Sequence, residues 1–173
     1  MKPLIFAVFL SLQAGLSQGT TIQSFQLSED HSHLSIHLSD GAVLSAPLTA
    51  AKQSGFSNVQ VSPNRHLIGW TVTFSNCCTS YPIPLKLMIL VNGTVRAFTG
   101  NGLPIWRWAF LASGTQFAFQ QETVHGGLNV HYELHDVATG RRLAEYDPPV
   151  ASDNRPLPRR NVPKWVSELD DGQ

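Results

Sequence analysis

From residue 105 to residue 146 apolar and polar side chains alternate with a period of two, the pattern of strands that bury one face. Trp106, Trp108 and Phe110 alternate with Arg107 and Ala109, and after the turn pair Ser113-Gly114 the alternation restarts at Phe117 and Phe119. Val130, Tyr132 and Leu134 face one way, while His131, Glu133 and His135 face the other, a side expected to be solvated. Ala138-Thr139-Gly140 turns the chain into a last strand anchored by Leu143 and Tyr146. The same period marks a meander over 21–48. There Leu34, Ile36 and Leu38 alternate with His33, Ser35 and His37, and Asp40-Gly41 closes a hairpin because Asp-Gly tolerates positive φ. Residues 49–55 read as a loop or short helical turn. A further unit over 58–100 carries Val59, Val61, Leu67, Ile68, Trp70, Val72 and Phe74, then a long loop over 75–84, an apolar run over 85–91 and an Asn92-Gly93 turn. The pattern predicts an all-β fold of antiparallel sheets, with Trp70, Trp108, Phe110, Phe117 and Phe119 in the core.

The two ends read differently. Residues 1–19 have the form of a cleaved signal peptide: Lys2, an apolar run from Leu4, and small residues at Ser17 and Gly19. The run is too short to span a bilayer, and Gln13 interrupts it. The expected location is therefore exported, periplasmic or extracellular, with no membrane insertion after cleavage. A single domain over 20–150 is followed by a tail over 151–173 that is rich in Pro and Arg, with Arg155, Arg159 and Arg160 close together. Pro163 is placed to open a short helix whose apolar face would be Trp165, Val166 and Leu169.

Composition sharpens this picture in one respect. The formal net charge is +0 and only 14% of residues are charged. A balanced, weakly charged chain argues against nucleic acid as a partner.

The two long units resemble blades of a β-propeller of the WD-repeat or Tol type. The resemblance rests on the aromatic strand running into Ser113-Gly114, on the ending Asp136-Val137-x-Thr139-Gly140-Arg141, and on the turn Ser62-Pro63-Asn64. Val61 aligns with Phe110 and Gly93 with Gly140, close to the ~40–50-residue spacing of such repeats. It implies two blade-like sheets (58–100 and 105–147) beside the N-terminal meander (21–48). A closed propeller takes ~4–8 blades, so face-to-face stacking of the sheets is expected instead, with completion by another copy as the alternative. The mature sequence as a whole is similar to exported bacterial proteins, and its 34–48 hairpin to a small bacterial domain family. Neither similarity carries an activity with it, because a fold of this kind hosts many functions.

Candidate chemistry is sparse. Cys77 and Cys78 are adjacent, which leaves a vicinal disulfide, two buried or free thiols, or an intermolecular or redox role; they lack the spacing of a metal site. Tyr81, Trp106, Trp108 and His125 lie in or beside loops, and would form an aromatic binding pocket if those loops met; core packing of the aromatics is the alternative. Glu122 and His125 are a candidate acid–base pair. His31, His33 and His37, and separately His131, Glu133 and His135, have the alternate spacing of metal ligands, a pattern that any polar strand face also produces. No G-x-S-x-G or H-E-x-x-H motif is present, so no catalytic residue, metal or cofactor is assigned. Asn92-Gly93-Thr94 is a glycosylation sequon, but it sits where a tight hairpin needs these residues. The expected function is non-catalytic binding or envelope assembly, with another protein contacted through loops or a sheet edge. The alternative is a small secreted hydrolase or metal-dependent enzyme using Glu122 and His125 or a histidine cluster.

Overall fold

A computed structural model of the chain describes residues 20–50, 52–126, 129–150 and 161–171. The proposed signal segment, Gly127, and Arg155, Arg159 and Arg160 lie outside these residues. The protein is all-β, with three antiparallel sheets and one short C-terminal helix. The first sheet is a meander of β1 (Ile22–Leu27), β2 (Leu34–Leu38) and β3 (Val43–Ser45). The second runs in chain order through β4 (Gln53–Val61), β5 (Ile68–Phe74), β6 (Ile83–Val91) and β7 (Thr94–Phe98). The third repeats that order with β8 (Ile105–Leu111), β9 (Gln116–Gln121), β10 (His131–Asp136) and β11 (Arg142–Tyr146). Among the described residues no helix is long and apolar enough to cross a membrane.

The sheets stack in chain order, and the strand period says why. Ile22, Leu34, Ile36 and Leu38 of the first sheet pack on Phe56, Ile68, Trp70, Val72 and Met88 of the second. The alternate residues Leu87 and Ile89 point the opposite way, onto Ile105, Trp108, Phe117 and Phe119 of the third. The second sheet is thus buried on both faces, which is why β6 reads as an almost unbroken apolar run rather than as an alternation. The far face of the third sheet, with Ala118, Tyr132 and Leu134, is covered by Val166 and Leu169 of α1 (Lys164–Asp171). Both helix residues are fully buried, so the helix caps the stack, and Arg107 on β8 pairs with Asp170 at 3.6 Å.

Turn chemistry fixes the registers. Asn92 and Gly93 both take left-handed backbone angles, φ 49° and 76°, as a two-residue hairpin demands. At Gly69 the second and third sheets approach closely. A Cβ there would lie 2.5 Å from Cη2 of Trp108, so no larger residue fits without displacing the indole. Arg96 adds a polar tie between the same sheets, donating to the carbonyls of Val137 and Ala138 at 3.1 and 2.6 Å.

Three expectations need correction. Residues 53–55 belong to β4 and not to a loop; Gln53-Ser54-Gly55 shows no alternation because the strand bulges there. Phe110 is only partly buried at the margin of the core, beside Trp108. The His131-Glu133-His135 face is buried, not solvated, because it turns toward β7 and the interior of the stack.

Candidate functional site

The cleft is built by two bulges. In β8, Ile105 pairs with Gln121 and Arg107 with Gln120, so the strand carries an extra residue at Trp106. An extra residue breaks the period and re-aims a side chain. Ile105 and Trp108 both remain in the core, while Trp106 is only partly buried. In β4, Ser57 pairs with Thr71 and Gln60 with Gly69, leaving an extra residue near Asn58, whose φ is 45°. The two irregular strands are sewn together by Trp108. Its Nε1 donates to the Asn58 carbonyl at 2.9 Å, and its own carbonyl accepts from Gln60 Nε2 at 2.6 Å.

Beside this seam lies a cleft of about 430 Å³, within the ~300–1,000 Å³ of small-molecule sites. Buried Thr71 and Thr73 lie at its base with Pro84 and Ile105, while Asp30, Ser54, Pro82 and Trp106 stand higher. The polar groups are ordered. Ser57 Oγ lies 2.8 Å from Thr71 Oγ1, and Ser54 Oγ donates to Thr73 Oγ1 at 3.3 Å. Asp30 accepts from Ser28 Oγ at 2.7 Å and from the Ser32 backbone N–H at 3.0 Å; the Ser28 hydroxyl first, then Ser32, holds its pKa down to about 2. Asp30 is therefore a carboxylate at any ordinary pH.

Trp106 is also where two loops meet. Its Nε1 donates to the Glu122 carbonyl at 3.2 Å, and the exposed Tyr81 ring stands edge-on to it at 6.4 Å. The loop carrying Tyr81 is braced from within, since Asn76 Oδ1 accepts from the Cys78 backbone N–H at 2.7 Å and Thr79 Oγ1 donates to the Tyr81 carbonyl at 2.5 Å. The Sγ atoms of Cys77 and Cys78 lie in bonding contact in this loop.

Of the residues expected to bind, Tyr81 and Trp106 are thus brought together. Trp108 is not available: it is fully buried, since its ring fills the gap over Gly69. His125 is exposed, and among the described residues no hydrogen bond or ion pair joins it to Glu122, which instead accepts from Gln120 Nε2 at 3.4 Å. His31, His33 and His37 do not converge: His31 lines the cleft, His33 Nδ1 meets Ser32 Oγ at 2.6 Å, and His37 pairs with Ser24 and Val43 across its sheet. Among the described residues no group of His, Cys, Asp or Glu side chains is arranged to hold a metal ion.

The other polar cluster is the buried chain of His131, Glu133 and His135. Their alternate spacing on β10 puts them side by side. His131 Nδ1 meets Asp147 Oδ1 at 2.6 Å and its Nε2 meets Glu133 Oε1 at 3.1 Å. His135 Nε2 meets Glu133 Oε2 at 2.7 Å, while its Nδ1 donates to the Gly140 carbonyl at 3.2 Å. Arg142 Nη1 reaches Glu133 Oε1 at 3.4 Å. Burial works against a charged His131, but the bonds to Asp147 and Glu133 outweigh it and raise its pKa above the ordinary value. Burial likewise works against the Glu133 carboxylate, and the bonds from His135 and His131 overcome it, so its pKa is lowered. Both ring nitrogens of His131 and of His135 already have partners, which leaves neither residue as a free base or ligand.

The sequence pattern missed both bulges, and with them Asp30, Ser57 and Thr71. The one available signal was the pair of tryptophans in Ile-Trp-Arg-Trp, which a regular strand would place on the same face. Compared with known proteins, the chain matches no protein-family model and no curated protein, so the reading of the site rests on its own geometry.

Proposed function

We propose that this chain is an exported, non-catalytic binding protein that holds its ligand in the cleft at Trp106. The observation that carries the reading is the β8 bulge, which takes a large aromatic out of the core period and sets it in the wall of a 430 Å³ cleft. A tryptophan left partly open to solvent forgoes hydrophobic stabilisation, and binding sites are where proteins keep such surface. The paired hydroxyls and the Asp30 carboxylate supply the few polar groups that orient a ligand. The hydrolase alternative is weaker, because Glu122 and His125 are not paired and the buried histidines are saturated by internal bonds. Export rests on residues 1–19 of the sequence. A blade-type ancestry of the two four-stranded sheets is part of the same reading, supported by their identical strand order. Contact with a partner protein belongs, in this reading, to the Tyr81 loop beside the cleft.

The test is a fragment library screened against the purified protein and the Trp106→Ala variant, with thermal shift as the readout. Fragments that stabilise the parent and lose their effect in the variant support the reading. Stabilising fragments that act equally on both proteins place binding elsewhere and overturn it.

A further inference from the structure

The base of the cleft breaks the rule that governs the rest of the stack. Between the second and third sheets the interlayer is apolar, filled by Leu87, Ile89, Ile105 and Trp108. Along β5 the same face then continues from Gly69 to Thr71 and Thr73, and the filling changes from methyl and ring carbons to hydroxyl groups. A packing layer has no need of a row of hydroxyls.

The proton positions follow from the partners. Thr71 Oγ1 donates to the Ser57 carbonyl at 3.0 Å, so the 2.8 Å contact between the two hydroxyls is a donation from Ser57 to Thr71. Ser57 Oγ keeps lone pairs and has no second proton, which makes it an acceptor toward the cleft. Thr73 Oγ1 accepts from Ser54 and keeps its own proton, which makes it a donor. Acceptor and donor therefore stand side by side. Asp30 adds an ionised acceptor at the rim, and Trp106 a flat apolar wall.

The charge of the lining narrows the ligand class. Glu29 and Asp30 line the cleft and no Lys or Arg does, which disfavours phosphates, carboxylates and nucleotides. A simple organic cation would meet the carboxylates and the indole but leave the hydroxyl row unused. A ligand that is neutral, carries adjacent groups that both donate and accept, and has one flat C–H face satisfies every feature at once. We propose that the cleft takes a neutral saccharide, with a sugar ring laid on the Trp106 indole and its hydroxyls bonded to Ser57, Thr73 and Asp30. This rests on the reading of the cleft as a binding site.

The experiment is isothermal titration of the full mature protein with maltotriose, cellotriose and N,N′,N″-triacetylchitotriose, with choline chloride as the cationic control. Saturable binding of at least one trisaccharide is expected. It should weaken roughly tenfold or more in Trp106→Ala, and measurably in Ser57→Ala, which removes one hydroxyl and leaves the indole in place. Both variants are checked for a native circular dichroism spectrum. Saturable binding of choline with no trisaccharide binding overturns the proposal in favour of a cation site. If no trisaccharide binds while library fragments still depend on Trp106, the saccharide assignment falls and the binding cleft stands. If neither binds, both fall. Trisaccharide binding unchanged in Trp106→Ala also overturns the proposal.

Discussion

Replacing Glu133 by Gln should destabilise the protein by an amount that depends on pH in a way only the buried network predicts. Glu133 is almost fully buried and accepts from His131 Nε2 at 3.1 Å, from His135 Nε2 at 2.7 Å and from Arg142 at 3.4 Å. Glutamine keeps the shape and one acceptor oxygen, but it loses the charge and turns an NH₂ group toward one of the imidazoles. Hydrogen bonds to charged groups contribute about 1.5–3 kcal/mol each, and the Arg142 contact is too long to count fully. Loss of one short bond and weakening of the other gives about 2–4 kcal/mol. The sign of the pH dependence follows from the two shifts. His131 has a raised pKa in the folded state, so its contribution is complete below its unfolded value of 6.5 and is lost as pH rises through the folded value. Glu133 has a lowered pKa, so its contribution is complete above its unfolded value of 4.5 and is lost as pH falls through the folded value. The network is therefore strongest between 4.5 and 6.5. Urea denaturation of parent and Glu133→Gln across this range reads both quantities. The difference should be largest at about pH 5.5 and shrink toward alkaline pH. A difference below about 0.5 kcal/mol, or parallel profiles for the two proteins, would refute the reasoning.

Two further outcomes are expected. Gly69→Ala forces a methyl into Trp108 and should cost about 1–3 kcal/mol, read as a lowered urea midpoint; an unchanged midpoint would mean the two sheets are not in contact there. Replacing Cys77 and Cys78 together by Ser should leave the melting temperature nearly unchanged, because a bridge between neighbours closes the shortest possible loop and constrains little of the unfolded chain. Two thiols that alkylate without reductant would rule the bridge out.

The sheets were legible because burial is periodic. Leu34, Ile36 and Leu38 announce a one-faced strand, and Asp40-Gly41 and Asn92-Gly93 announce hairpins, since these are local properties of the chain. The buried network was legible in part: the spacing of His131, Glu133 and His135 put them on one face, but alternation does not say whether the polar or the apolar face looks at water. Here both faces are covered, one by α1 and the other by the neighbouring sheet. The cleft was the least legible feature. It depends on extra residues at Trp106 and Asn58, and a bulge is defined by the partner strand rather than by the strand that carries it. The period placed Trp108 in the core, whereas grouping it with Trp106 by nearness to the loops did not separate a buried ring from one in the cleft wall.

The division of labour among the tryptophans is the most direct test of the account. Trp70 and Trp108 are fully buried, Trp165 packs against the helix-capped face, and Trp106 alone lines the cleft. The four indole N–H resonances can be followed together in a ¹H–¹⁵N correlation spectrum while the best-binding fragment or trisaccharide is added. The account predicts a progressive shift of the Trp106 resonance, with those of Trp70 and Trp165 unmoved. A titration that moves Trp165 and leaves Trp106 in place would contradict it.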